Sequence, residues 1–196
     1  MSTEIAFTEA VKKVQAERGS RKRYARVDWE TEVTAGLAAF IGEQTSFFFG
    51  TANAAGQPYI QHRGGPAGFL RVLDPTTLAF ADYSGNRQYI SLGNLSENPK
   101  VHLFLIDYAN KQRIKIWGEA KVVADDPALL KSLMPEGYKA RPEQAIVIKI
   151  TAWDANCPQH IPQRFEAEDV AAALAKKDAR IAELEAELRR LRSLAR

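Results

Sequence analysis

Three histidines, His62, His102 and His160, and one cysteine, Cys157, are the side chains on which metal or nucleophilic chemistry would rest. No two histidines stand at a metal-binding spacing such as His-Glu-x-x-His, so a zinc enzyme is not expected. There is no Gly-x-Ser-x-Gly elbow, and Cys157-Pro158 carries no motif around its thiol, so a covalent hydrolase is equally unsupported. The cluster Gly64-Gly65-Pro66-Ala67-Gly68 lacks the Lys-Ser/Thr that would make it a nucleoside-triphosphate loop. What is left is a set of cationic and polar residues at strand ends, which suits a phosphate-bearing cofactor that brings its own reactivity. Arg63 precedes two glycines that permit close approach of a ligand, although a surface arginine beside a flexible turn would look the same. Arg71 lies within Phe69-Leu-Arg-Val-Leu, where alternation turns it away from Leu70 and Val72, as for an ordinary outward-facing strand arginine. Arg87 opens a short helical pattern, adding its charge to a helix N-terminus, and is the strongest of the three as an anion ligand.

The elements that must position these residues can be read from periodicity and turn chemistry. Phe7, Val11 and Val14 have helical spacing behind a Thr8 cap, and Leu37, Phe40 and Ile41 share one face of a helix from about Thr34 to Gly42. Between them, Arg21-Lys22-Arg23 is read as a solvated charge run. Short β-prone runs follow at Phe47 to Ala52, Pro58 to Gln61, Leu70 to Leu73 and Thr77 to Ala81, separated by Asn53-Ala-Ala-Gly56 and Asp74-Pro75. Further strands are expected over Val101 to Asp107, Arg113 to Val123 and Ala145 to Ile150. A helix is predicted from Asn86-Arg87 to Leu95, ending before Asn98-Pro99, and another opens at Asp126-Pro127 as a packing element. Six or seven short strands joined by small loops predict a barrel, because closure removes vulnerable edges.

The chain is 196 residues long, with 45% hydrophobic and 26% charged residues, which predicts one soluble globular domain with short terminal additions. Lys plus Arg number 27 against 24 Asp plus Glu, and a net charge of +3 is too small for a nucleic-acid machine. A single cysteine excludes an intramolecular disulfide and fits a reducing cytoplasm. Met1 to Phe7 shows no export signal, and no apolar run approaches the ~18 residues of a spanning helix, so neither export nor a membrane is expected. From Val170 to Arg196, Leu174, Ile181, Leu184, Leu188 and Leu191 recur at three-four spacing with Glu and Arg on the other faces. This is a coiled-coil seam or an amphipathic docking helix, interrupted by Lys177 and too short to be more than marginal by itself.

The order Pro58-Tyr-Ile-Gln-His-Arg-Gly-Gly-Pro, Phe69-Leu-Arg-Val-Leu-Asp, Leu78-Ala-Phe-Ala-Asp-Tyr-Ser-Gly-Asn-Arg-Gln and Asn94-Leu-Ser-Glu-Asn-Pro-Lys-Val resembles the pyridoxamine 5′-phosphate oxidase family of FMN-binding split β-barrels. The most specific piece is Asn86-Arg87-Gln88, followed by a helix and the Glu97-Asn98-Pro99-Lys100-Val101 turn. The resemblance implies a mainly β split barrel with flanking helices: an N-terminal helical segment over 1–42, the barrel over 43–165 and a C-terminal helix over 166–196. It further implies a homodimer with FMN at the subunit interface, acting as an oxidoreductase on a small molecule. Carried over residue by residue, Arg87 matches the phosphate-binding arginine, and Gln88 stands where lysine is usual. Arg71 keeps the charge of a strand lysine, and Arg113 replaces a ring-contacting glutamine supplied by the partner subunit. Asp82 and Asn86 enter the cofactor set with their motif. His62 and Arg63 belong to a segment whose register is blurred by the glycine-rich insertion. Trp153 is a candidate to cover the flavin ring, against plain core packing, and His160 a candidate proton donor, against no catalytic role.

The substrate-phosphate residues of true pyridoxamine phosphate oxidases are not recognisable here; Tyr138 and Arg141 lack the spacing, so vitamin B6 synthesis is not the expected activity. Three other functions stay open at this point: a non-enzymatic flavin carrier or stress protein, a haem-binding barrel that would need His62, His102 or His160 as ligand, and an F420-binding barrel. A nucleic-acid partner for Arg21-Lys22-Arg23 ranks last, for want of interleaved aromatics.

Overall fold

Asn53 closes the first hairpin: its side-chain oxygen accepts from the Gln57 amide at 3.0 Å and its carbonyl from the Gly56 amide at 2.9 Å. Gly56 stands at φ +83°, a left-handed conformation that glycine adopts without strain. This turn joins β1 (Ser46–Ala52) to β2 (Pro58–Gly64) in an antiparallel ladder from Ser46 opposite Gly64 to Ala52 opposite Pro58. The computed structural model describes residues 1–155 and 158–195; Cys157, the lone thiol, lies outside the described residues.

The remaining strands are β3 (Arg71–Asp74), β4 (Thr77–Tyr83), β5 (Lys100–Asp107), β6 (Gln112–Val123) and β7 (Pro142–Ala155). They form one seven-stranded antiparallel sheet in the order β2-β1-β5-β6-β7-β4-β3. β2 and β3 end the ladder without pairing to each other. The sheet nevertheless curls on itself: Phe47 and Phe49 of β1 lie 5.3 and 5.7 Å, ring to ring, from Phe80 of β4, with Phe69 stacked on Phe47 at 5.5 Å. Leu37, Ile41, Leu78, Leu103, Leu105, Ile116, Ile146 and Ile148 complete this core, all essentially without solvent contact. Each such side chain contributes roughly 1.5–3 kcal/mol by leaving water.

Helices flank the sheet. A 3-10 turn (Ser2–Ile5), α1 (Glu9–Glu17), α2 (Arg21–Tyr24) and α3 (Ala35–Glu43) precede it. The expected cap is in place, with Thr8 accepting from the Val11 amide, and Thr34 caps α3 in the same way by accepting from the Leu37 amide. The charge run Arg21-Lys22-Arg23 forms α2 and buries no residue. Trp29, after α2, stacks on Trp117 of β6 at 4.5 Å, with its planes 9° apart, so the N-terminal segment packs directly on the sheet. α5 (Pro127–Leu133), capped by Asp126, buries Leu133 against Ala79, Ala81 and Ala145, the packing role expected of it.

Three boundaries differ from expectation. The helix expected from Asn86-Arg87 is α4 (Ile90–Glu97), because Arg87 and Tyr89 take left-handed conformations, at φ +59° and +54°, that no helix accommodates. β2 runs through Gly64, which puts Arg63 inside the strand opposite Phe47 and not in the turn after it. β7 extends to Ala155 beyond a bulge where β6 passes from Trp117 to Gly118. At that bulge a Cβ on Gly118 would lie 2.5 Å from the Lys149 carbonyl oxygen, so only glycine fits.

The chain divides into two compact units, residues 1–107 with 112–158, and residues 108–111 with 159–196. In the second, the Arg164 guanidinium lies 4.7 Å from the Tyr108 ring, and α6 (Ala167–Leu194) is the long C-terminal helix. Among the described residues no helix is long and apolar enough to cross a membrane.

Candidate functional site

Strand alternation places Tyr59, Gln61 and Arg63 on one face of β2. Across from them stand Asp82 and Tyr83 at the end of β4, the loop Gly85 to Tyr89, the first turn of α4 and Glu143 of β7. Together they enclose an open cleft of about 230 Å³.

One wall is held by an ion pair. Arg63 Nη1 donates to Asp82 Oδ1, and Asp82 Oδ2 accepts from Gln144 Nε2 at 2.9 Å. Both charged side chains are buried, 12% and 8% exposed. The Arg63 guanidinium also lies over the Phe80 and Phe49 rings, at 5.6 and 6.0 Å, where its planar, weakly hydrated cation gains from the ring faces. Asp82 is thus committed to Arg63 and Gln144, and its part in the site is to fix Arg63.

The opposite wall is rich in donors and carries one cation, Arg87, with Glu143 nearby. The Gln88 amide donates to Asn86 Oδ1 at 3.2 Å, which shapes the loop, and Arg87 Nε donates to Tyr89 Oη at 3.1 Å. The Tyr89 hydroxyl and, further off, the Glu143 carboxylate hold the exposed Arg87 guanidinium still more firmly in its charged form. Tyr89 occupies the N-cap of α4 without capping it through its side chain, so the N-cap side chain accepts no bond from the first amides of that helix. Ser91 Oγ donates to Gln61 Oε1 at 2.8 Å and ties the helix start to β2.

Among the described residues, three buried side-chain polar atoms lack a hydrogen-bond partner: Arg63 Nε, Tyr83 Oη and Arg113 Nε. The first two belong to residues lining this cleft. Burial, chiefly, and neighbouring Tyr138 push the Tyr83 hydroxyl above its ordinary value despite the Arg71 charge, so it stays protonated and able to donate. An uncapped helix start, an exposed guanidinium bonded only to a neutral hydroxyl and unpaired donors around one cavity fit a ligand that carries a phosphate.

The sequence candidates separate on this geometry. Arg63, Asp82, Asn86, Arg87 and Gln88 line the cleft together. His62 is exposed on β2, edge-on to Phe48 at 5.9 Å, and lines a neighbouring depression of about 200 Å³ that shares Arg63 and Tyr83. Arg71 is exposed on β3 opposite Ala79, facing outward as alternation indicated. Arg113 lies on β6 opposite Ile106, and neither it nor Arg71 lines the cleft. Trp153 packs against the main core and donates through Nε1 to the Glu32 carbonyl at 2.8 Å; in this chain its indole does the packing job and covers no part of the cleft. His160 belongs to the second compact unit and is not among the lining residues.

Tyr59, Gln61, Tyr83, Ser91 and Glu143 were not singled out from the sequence. For Tyr59 and Gln61 a signal existed, since residues two apart on a strand share the face of Arg63. Glu143 has none, because only the β4–β7 pairing brings it to the loop.

Residues 33–157, more than half of the chain, match the family described as pyridoxamine 5′-phosphate oxidase. The chain belongs to the pyridoxamine 5′-phosphate oxidase family. No curated protein matches the sequence. Among solved structures, HupZ of Group A Streptococcus superposes with a TM-score of 0.53 at 18% identity, over 68% of this chain and 99% of that one. An FMN-binding protein from Syntrophomonas wolfei superposes with a TM-score of 0.50 at 14% identity, over 76% of this chain and 96% of that one. At such identities the likeness shows the fold, and the seven-stranded sheet with its unpaired β2 and β3 edges is the split barrel of this family.

Proposed function

We propose that the protein is an FMN-dependent oxidoreductase acting on a small molecule, with the cofactor held between two copies of the chain. The observation that carries this is the convergence of Arg87, the uncapped start of α4 and the unpartnered Tyr83 and Arg63 atoms on one cleft. An FMN phosphate is a dianion, and guanidinium and backbone donors are its natural ligands. FMN bound here would supply hydride and electron transfer, chemistry that no side chain of the cleft provides.

The chain's own residues then bind and orient. Arg87 holds the phosphate, and Asn86 and Gln88 add amide donors at the same corner. Tyr83, protonated at neutral pH, donates a hydrogen bond into the cleft, and the Arg63–Asp82 pair keeps β2 at a fixed distance from β4. At about 230 Å³ the cleft falls below the ~300–1,000 Å³ of typical ligand pockets, which supports a second subunit completing the site. Arg113 stands, by family resemblance, where a residue of one subunit meets the partner's flavin, and its buried Nε has no hydrogen-bond partner among the described residues. Among the described residues lining the cleft there is no histidine, which leaves a haem without an imidazole ligand there.

Purified protein titrated with FMN tests the proposal: flavin absorbance at one equivalent per chain, on a dimeric species, is expected. A protein indifferent to added FMN contradicts it. Reoxidation that depends on one added acceptor, in place of slow reaction with every acceptor tried, separates an oxidoreductase from a flavin carrier.

A further inference from the structure

α6 exposes a continuous apolar seam. Leu174, Ile181, Leu184, Leu188 and Leu191 are each between 47% and 55% exposed, and the helix buries no residue. Set in heptads, Leu174, Ile181 and Leu188 take position a, and Val170, Leu184 and Leu191 take position d. Over its 28 residues α6 carries six acidic and six basic side chains, so its polar face is neutral overall. That composition disfavours an anionic membrane surface, which selects helices with a cationic polar face.

The charges flanking the seam indicate what covers it. Positions g hold Arg180 and Glu187, and the following e positions hold Glu185 and Arg192. In a parallel, in-register pair, g of one helix faces e of the next heptad on the other. Arg180 then meets Glu185 of the partner subunit, and Glu187 meets Arg192 of the partner subunit, both attractive and both repeated by symmetry. An antiparallel pair sets e against e and g against g, so that where Asp178 aligns with Glu185 the acidic pair repels and Arg180 against Glu187 does no more than offset it. Within one helix Arg180 donates to Glu183 at 2.8 Å and Arg189 lies 3.8 Å from Glu185; these pairs are well exposed, so they are worth little and can exchange for contacts across a pair of helices.

We propose that α6 pairs with α6 of a second copy of this chain as a parallel, in-register two-stranded coiled coil, a self-association device separate from the barrel and independent of whether FMN binds. Lys177, at a d position, interrupts the seam, because in this register it faces Lys177 of the partner subunit; a lysine stem can lie along the seam while each ammonium stays in water. Four heptads, about 42 Å of helix, are short for a coiled coil, so each flanking pair counts.

The full chain with Cys157→Ser and Leu184→Cys tests it. A d-position cysteine in a parallel in-register pair meets its own copy at a separation that a disulfide can span, so diamide is expected to convert most of the protein to covalent dimer. Adding Glu185→Arg places Arg180 against arginine and is expected to slow cross-linking several-fold, and adding Arg180→Glu as well restores it. A species of dimeric mass that does not cross-link, a monomer, or cross-linking indifferent to the charge reversal overturns the proposal.

Discussion

Arg63 of β2 and Asp82 of β4 form a buried ion pair between strands that are separated by four others in the sheet order. β2 ends the ladder and pairs only with β1, so this contact, and not a row of backbone hydrogen bonds, joins it to the far side of the barrel. Both residues of the pair line the cleft, so the same guanidinium serves the wall and the cavity.

Breaking that pair leaves a charge buried without a partner. Arg63→Ala is expected to cost about 3–5 kcal/mol of unfolding free energy, measured by urea denaturation. Replacing both partners with apolar residues, Arg63→Met with Asp82→Leu, is expected to recover most of it. A loss under 1 kcal/mol in the single variant would place the pair outside the fold's stability.

Gly118→Ala forces a methyl group to within 2.5 Å of the Lys149 carbonyl oxygen, against backbone that cannot swing aside. A destabilisation of about 1–3 kcal/mol is expected from such overpacking. Unchanged thermal unfolding would mean that the bulge at Trp117 and Gly118 relaxes freely.

His102 predicts how stability depends on pH. Burial first, and the nearby Lys115 charge second, depress its pKa, with the ring held edge-on to Trp117 at 5.0 Å. As pH falls, the unfolded chain therefore takes up the proton first, at a histidine's usual value of about 6.5. Stability is full above that value, declines as pH drops towards the lowered folded value, and levels off below it. Urea midpoints at pH 8 and pH 5 should show this decline, and His102→Gln should reduce it. An equal decline in the variant would assign it to other groups.

Much of the scaffold is legible in the chain because the signals are local. Thr8, Thr34 and Asp126 each cap the helix they announce, and Asn53 and Gly56 close the first hairpin as their types require. α4 starts later than its apolar pattern predicts because Arg87 and Tyr89 hold left-handed conformations, which residue type does not reveal. Arg87 is nevertheless a cleft residue, and Arg63, Asp82, Asn86 and Gln88 join it. Tyr83 and Glu143 escaped notice because their place depends on the β4–β7 ladder, a pairing between distant segments. Trp153 was a candidate on its chemistry, and the structure spends its indole on the Glu32 carbonyl and the core.

Arg87 is the anion ligand on which the proposed function turns. Its side chain is exposed, so Arg87→Ala should leave thermal unfolding unchanged in the absence of ligand. Flavin-fluorescence titration of the two proteins with FMN is the direct measurement. Loss of a charged hydrogen-bond partner predicts a Kd raised roughly ten- to a hundredfold in the variant. Equal affinity in the two proteins would contradict the assignment of the site.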